Sequence, residues 1–282
     1  MQKKSYVVIA VVLIAVALAL VVKNKPKDPG VNEGKSLKVD KSLKVDVSEF
    51  ADHIFITPSQ LHEKLDSREL VILDASHPKG YAKGHIPGAI SIGFKGLSDC
   101  NGKPGDKEWG TVLPKEKLTQ KLESLGIDNT KLVVAYSDIF KGPGAGGRAV
   151  WQMKMAGFEN VRLLYGGLEL WKKSGYTIST TQAVPVPATG LTLKDYDESF
   201  RANQRDIHDH LDTLKIVDVR SLKEYTGADT SRGEARGGHI QGSQWLEWKT
   251  LLNEDASVKS VQEIKELMAG VGILPTDDFV LY

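Results

Sequence analysis

Apolar and polar positions alternate along the chain in blocks. Ile56–Leu65 (ITPSQLHEKL) places Thr57 where a helix cap belongs, Pro58 at the first helical position, and Leu61 and Leu65 one turn apart, so it predicts a helix. ELVILDAS, 69–76, is an apolar run of strand length with Asp74 near its end. Gly84–Ile92 (GHIPGAISI) reads as a turn and a short strand. Lys115–Ile127 is an amphipathic helix closed by Gly126, and Lys131–Tyr136 (KLVVAY) is a buried strand. Gly147–Phe158 predicts another helix, NVRLLYGG holds a strand, and LELWKKSGY predicts a closing helix. Strands that alternate with helices predict an α/β fold, with a parallel sheet covered on both faces.

The pattern then starts again. After a short linker, Pro185–Gly190 (PVPATG), KIVDVRSLKEY repeats LVILDASHPKGY. Asp218 takes the place of Asp74, and the spacing from each aspartate to the next tyrosine, Tyr225 or Tyr81, is the same. GGHIQGSQ (Gly237–Gln244) repeats KGHIPGAI, and Val261–Tyr282 repeats KLTQKLESLGIDNTKLVVAY with one spacing from Gly126 to Tyr136 and from Gly272 to Tyr282. The chain reads as an internal duplication, with one polar insertion, GADTSRGEARG, after Tyr225. Tyr282 is the counterpart of Tyr136. The loop, helix, strand and helix that follow Tyr136 have no counterpart, so the second copy is expected to be C-terminally incomplete, with an uncovered apolar face and an unpaired strand edge.

The remaining segments set the organisation. Lys3 and Lys4 precede the apolar run Tyr6–Val22, which approaches the length of about 20 residues that a membrane helix needs. Residues 1–22 are read as an uncleaved signal anchor or as a signal peptide. The small residues around Ala17 and Ala19 suit cleavage, and the run on to Val22 and Lys23 suits the anchor. Residues 23–54 are a linker rich in Lys, Asp, Gly and Pro that carries KSLKVD twice in tandem. Residues 55–182 and 190–282 form the two repeated domains. A 282-residue chain that is 41% hydrophobic and 26% charged has room for both, and a net charge of +1 gives no sign of a nucleic-acid partner. The one cysteine, Cys100, excludes an intrachain disulfide and a Cys-rich metal site. No glycine-rich phosphate loop sits between a strand and a helix, so no nucleotide cofactor is implied, and no other cofactor is expected.

The ordered motifs make the chain resemble the rhodanese family: DAS or DVR at a strand end, then a tyrosine, GHIPGAI, a helix ending LGI, a strand ending V-x-Y, and NVRLLYGGLELWKKSGY. The likeness covers about residues 55–282. The tandem arrangement is similar to that of thiosulfate and mercaptopyruvate sulfurtransferases. The resemblance implies two tandem rhodanese-like domains, each a parallel sheet flanked by helices, the second incomplete. It also implies movement of sulfane sulfur from a small anionic donor such as thiosulfate to a thiol or cyanide acceptor, by double displacement through a persulfide. In the family the residue after the V-x-Y strand is the catalytic cysteine, in a loop whose backbone N–H groups and helix dipole lower the thiol pKa. Here the first copy has Ser137 at that position, so the first domain is expected to be non-catalytic. In the second copy the nucleophile is expected directly after Tyr282. A selenocysteine codon read as a stop accounts for this, as do a frameshift, a nonsense codon or an artificial cut. The 282-residue chain is accordingly expected to show no turnover, and the alternative reading is a catalytically inactive rhodanese-like binding or regulatory module anchored at the cell envelope. The leader implies a cell-envelope location, anchored in the inner membrane and facing the periplasm, or export.

Other candidates follow from residue type. By the resemblance, Arg220 would bind the anionic donor, where the first copy has Ser76. Asp74 and Asp218 suit loop hydrogen bonding, and His85 and His239 suit a structural role in their turns. Cys100 lies in a polar loop with no basic residue adjacent in sequence, which suits an incidental thiol. His208 and His210 point apart on a helix and have no evident third ligand, so no metal site is expected. Trp245 and Trp248 suit core packing or the mouth of a pocket.

Overall fold

The computed structural model describes residues 50, 54–93, 95–104, 106, 109–231 and 233–282. The leader 1–22 and the linker up to residue 49 lie outside the described residues. Among the described residues, no helix is long and apolar enough to cross a membrane.

The first sheet has the order β1 (Phe55–Ile56), β7 (Val161–Leu164), β6 (Leu132–Tyr136), β2 (Leu70–Asp74), β3 (Ile90–Ser91), with all pairs parallel. Alternation along β6 assigns its faces. Val133 and Ala135 pack with Leu118 and Leu122 of α3 (Lys115–Ser124) and with Ala149, Val150 and Met153 of α4 (Ala145–Met155). Val134 and Tyr136 turn to the opposite side. There they meet Leu61 of α1 (Pro58–His62) and Leu168 and Trp171 of α5 (Gly167–Lys173). Leu61, Leu118 and Leu122 are fully buried, each worth roughly 1.5–3 kcal/mol relative to exposure. Thr57 caps α1 as its sequence predicts, in a reciprocal capping box with Gln60. A two-stranded hairpin, β4 (Ser98–Asp99) with β5 (Thr111–Val112), and the edge strand β1 were not legible in the periodicity.

A second parallel sheet has the order β10 (Phe279–Leu281), β8 (Lys215–Asp218), β9 (Gln244–Trp245). Its core joins Val217 and Leu281 to Leu246, Leu251 and the α8 residues Ile264 and Met268 (α8, Val261–Gly270). Three residues from the other half, Phe50, Tyr165 and Leu170, belong to the same cluster. The Tyr165 hydroxyl accepts the Val258 N–H at 3.1 Å and donates to the Val258 carbonyl at 3.0 Å. The chain beyond Gly190 does not leave the first sheet at once. Leu191 and Leu193 enter its core, and the Trp151 indole donates to the Phe200 carbonyl at 3.0 Å.

The two sheets share several bonds and ring contacts at matching positions. Ala75 N–H donates to the Tyr136 carbonyl at 2.8 Å, and Val219 N–H to the Tyr282 carbonyl at 2.9 Å. The Tyr136 hydroxyl accepts from Ile86 N–H at 3.1 Å, and the Tyr282 hydroxyl from Ile240 N–H at 2.8 Å. Tyr81 stacks on His85 with ring centroids 3.7 Å apart, and Tyr225 on His239 at 3.9 Å.

Candidate functional site

In an open parallel sheet, chemistry gathers at the carboxyl ends of the strands. In the second sheet that edge carries Asp218, Arg220 and Tyr282. Asp218 is fully buried at the end of β8, and one of its oxygens accepts the Arg220 N–H at 2.9 Å, which turns the chain back over the strand. The guanidinium then folds onto the same carboxylate. Nε lies 3.0 and 3.2 Å from the two oxygens, and Nη2 lies 2.5 Å from one of them. Nη2 also donates to the Gly238 carbonyl at 2.8 Å, and the charge lies 5.2 Å from the centre of the Tyr282 ring. Burial disfavours the charge on Arg220, but hydrogen bonding and attraction to Asp218 outweigh it and hold the guanidinium pKa above its ordinary value. Nη1 makes no hydrogen bond among the described residues, and the side chain is 23% exposed. This is a fixed, permanently positive group facing the strand end. The Trp245 indole donates to the Arg220 carbonyl at 3.0 Å, which places Trp245 at this edge.

The matching edge of the first sheet has the opposite electrostatics. Asp74 is fully buried, and one oxygen accepts the Ser76 N–H at 2.7 Å. Ser76 brings no cation, and the other Asp74 oxygen has no hydrogen-bond partner among the described residues. Burial, and then the Asp74 charge, push the Tyr136 phenol pKa up. Ser137 follows Tyr136 and is buried beneath the start of α4. Gly146 permits that approach, since a Cβ there would lie 2.8 Å from the Tyr136 carbonyl carbon. The Asp138 N–H donates to the Ser76 hydroxyl at 2.9 Å.

The fold adds a carboxyl pair that sequence reading missed. Burial, followed by the hydrogen bond and charge of Asp138, raises Glu169 to about 7. Burial works against the Asp138 charge, but hydrogen bonds from Glu169 and the Lys141 N–H lower its pKa overall. Glu169 also accepts the Ile139 N–H at 3.3 Å, and Ile139 packs against the second core. The only sequence signal for the pair was a glutamate in the first turn of the helix after GG.

Ser137 and Arg220 stand at the carboxyl edges of different sheets and are not brought together. Cys100 lies just after β4 and is partly exposed. No basic residue neighbours it in sequence, but the fold brings in the Arg148 charge, which is largely desolvated and lowered by burial, with Cys100 acting to raise it. His208 faces Asp209 at 3.2 Å and His210 faces the Asp206 carbonyl at 2.7 Å, both exposed. No group of three His, Cys, Asp or Glu residues among the described residues is placed to hold a metal.

The family description "Rhodanese-like domain" matches residues 57–174. A sulfur carrier protein, TtuD, of Thermus thermophilus is 30% identical over 241 residues, 81% of this chain and 81% of its own. A putative thiosulfate sulfurtransferase of Haloferax volcanii is 31% identical over 249 residues, 83% of each chain. This chain belongs to the rhodanese family. Both alignments exceed what residues up to 174 supply, so the similarity to these relatives reaches into the second half of the chain. A solved structure, the anaerobic ergothioneine biosynthesis enzyme from Chlorobium limicola in complex with trimethyl histidine, superposes with a TM-score of 0.68 at 23% identity. The match covers 82% of this chain and 60% of that one, so this chain spans less than two thirds of that structure's length, and the likeness concerns the fold.

Proposed function

We propose that this rhodanese moves sulfane sulfur from a small anionic donor such as thiosulfate to a thiophilic acceptor, and that the second sheet carries the reaction. The tandem reading assigns residues 55–182 to a non-catalytic domain and 190–282 to a catalytic one. The observation that carries this is Arg220, a fixed cation at the strand edge of the second sheet, where the first sheet presents the uncompensated carboxylate of Asp74. At the first environment Arg220 keeps Nη1 free to donate to an anion, and at the second no cation stands beside the buried carboxyl. Relatives named thiosulfate sulfurtransferase in Azotobacter vinelandii and Pseudomonas aeruginosa support the substrate class.

The nucleophile's seat is the position directly after Tyr282. A thiolate or selenolate there attacks the outer sulfur of thiosulfate; the S–S bond breaks, its electron pair leaves with sulfite, and a persulfide or selenosulfide remains. Attack on that terminal sulfur by cyanide or a thiol forms the transferred product and returns the nucleophile. Arg220 pairs with the donor's sulfonate oxygens through Nη1. The apolar run Tyr6–Val22 holds the protein at the cell envelope, or exports it.

The test compares the 282-residue chain with the same chain extended after Tyr282 by residues 137–176 carrying Ser137→Cys. Cyanide-dependent turnover of thiosulfate is expected only in the extended form, with KM for thiosulfate raised about tenfold by Arg220→Ala. Turnover by the unextended chain, or turnover indifferent to Arg220→Ala, overturns the assignment.

A further inference from the structure

The β4–β5 hairpin rests on α4 through an arginine that the proposed activity does not use. Arg148 Nε donates to the Ser98 hydroxyl at 2.7 Å, and Nη2 donates to the Gly110 carbonyl. The guanidinium lies 5.7 Å from the centre of the Trp151 ring. Gly110 N–H in turn donates to the Asp99 carbonyl at 2.6 Å, so Gly110 stands directly across from the peptide that joins Asp99 to Cys100. Alternation along a strand puts residues 98 and 100 on one face and residue 99 on the other. The Asp99 carboxylate is engaged elsewhere, by the Asn101 side-chain amide at 2.7 Å and by Lys117 Nζ at 4.0 Å. The Arg148 charge is therefore clamped between Ser98 and Gly110, on the side of the hairpin that carries Cys100.

This arginine lacks an anion. Burial disfavours its charge, it makes no ion pair among the described residues, and the one group there that acts to hold the charge is Cys100. A buried charge without a partner is costly. Two buried polar groups nearby in the fold are also without partners among the described residues. One is the indole N–H of Trp109, next to Gly110. The other is the side-chain amide of Gln152, completely buried and one turn along the same face of α4 from Arg148. The Tyr196 hydroxyl faces Gln152 but donates to the Leu113 carbonyl at 2.5 Å. A cation and two N–H donors thus meet under the hairpin with no anion among the described residues, and the group beside them that chemistry can make anionic is a thiol.

We propose that Cys100 is a sulfane-sulfur acceptor, loaded by a small persulfide or polysulfide and held as a persulfide anion by Arg148. Cys100 Sγ attacks the outer sulfur of a donor RSSH. An S–S bond forms on Cys100, the donor's S–S bond breaks, and its electron pair leaves with RSH. The thiol proton goes to solvent and Cys100 keeps the charge as Cys–S–S⁻, so no oxidant or reductant is consumed. A hydropersulfide is a stronger acid than the thiol it comes from, so loading converts Cys100 into the anion that Arg148 lacks. Cys100 is the one cysteine of the chain and is partly exposed, so a small donor reaches it from solvent. The loading is stoichiometric and separate from the turnover proposed at the position after Tyr282.

The test equilibrates the 282-residue chain with sodium polysulfide and hydrosulfide at a fixed ratio, beside a synthetic peptide of residues Gly96–Pro104 that holds the same cysteine without Arg148. After alkylation, mass spectrometry reads the fraction of each that has gained one sulfur atom. The ratio of persulfide to thiol is expected to be at least about tenfold higher in the chain than in the peptide. Arg148→Lys, which keeps the charge, should retain the excess, and Arg148→Gln should lose it. Equal ratios in chain and peptide overturn the proposal whatever the variants do. So does an excess that survives in a folded Arg148→Gln chain. Neither readout involves thiosulfate turnover or Arg220, so failure here leaves the proposed activity standing, and the reverse also holds.

Discussion

Arg220→Ala removes the only cation among the described residues that touches the buried carboxylate of Asp218, and its cost is set by what that carboxylate loses. Three side-chain contacts go, at 3.0, 3.2 and 2.5 Å, together with the 2.8 Å bond to the Gly238 carbonyl. One backbone bond to Asp218 remains, from residue 220 itself at 2.9 Å. Breaking a fully buried pair costs about 3–5 kcal/mol, because the surviving charge has lost its partner. Arg220 is partly exposed, so water reaches the vacated space and the loss is smaller. Loss of the contact over the Tyr282 ring adds about 0.5–1 kcal/mol. The expected destabilisation is about 2–4 kcal/mol. Equilibrium urea unfolding of Arg220→Ala, Asp218→Asn and the double variant measures it. The double variant should lose about 2 kcal/mol less than the sum of the singles, because an asparagine in place of Asp218 leaves no charge behind. Arg220→Lys should fall between, since it keeps the charge and loses the fork. A loss below about 0.5 kcal/mol in Arg220→Ala, or strict additivity, refutes the view that this pair organises the edge.

Three further outcomes follow from the geometry. Glu169 titrates near 7 in the folded protein against an ordinary 4.5, so the folded state holds a proton that the unfolded state gives up, and stability falls as pH rises from about 4.5 to 7. Glu169→Gln should remove that slope and be about 1 kcal/mol more stable than the native protein at pH 8, after discounting for partial exposure; parallel urea curves at pH 5 and pH 8 check it. Tyr165→Phe deletes both bonds to Val258, which join the two halves, and should cost about 1–2 kcal/mol, with earlier loss of hydrogen-exchange protection in α8 than in β6. Gly146→Ala drives a methyl to 2.8 Å from the Tyr136 backbone and should cost about 1–3 kcal/mol, whereas Gly270→Ala meets open space in a helix and should be neutral or stabilising by about 0.5–1 kcal/mol in thermal unfolding.

The parts of this fold that periodicity marks are those whose burial is local. KLVVAY alternates between two packed helix layers, and the Lys115–Ile127 helix shows one apolar stripe, so both are legible from neighbours in the chain. The matching spacings of Asp74, Tyr81 and Tyr136 with Asp218, Tyr225 and Tyr282 were also legible, and the Tyr136 and Tyr282 hydroxyls accept equivalent N–H bonds. What stayed hidden depends on residues far apart in sequence. β1 is too short to carry a period and exists because β7 offers it an edge. Tyr165 looks like the end of a strand, and only the fold shows that its hydroxyl belongs to Val258. Glu169 and Asp138 each look like an ordinary surface carboxyl, and their shared environment is created by burial at the loop between β6 and α4.

The two strand edges show how little sequence is needed to invert the electrostatics of one frame. Both place a fully buried aspartate at the strand end, and both tie one of its oxygens to the N–H two residues on. At that second residue one half has serine and the other has arginine. The serine hydroxyl turns to the loop and accepts the Asp138 N–H, and Asp138 in turn shares a hydrogen bond with Glu169, so this edge gains carboxyls and no cation. The arginine neutralises its aspartate, lies over the tyrosine ring and leaves one nitrogen facing out. Replacing Ser76 by Arg alone would not convert the first edge, because the loop after Tyr136 keeps the Asp138 carboxyl, which an anion would have to approach. A Ser76→Arg variant is therefore expected to gain stability from pairing with Asp74 and to gain no affinity for thiosulfate. Thiosulfate protection of the first-sheet amides in hydrogen exchange would contradict that reasoning.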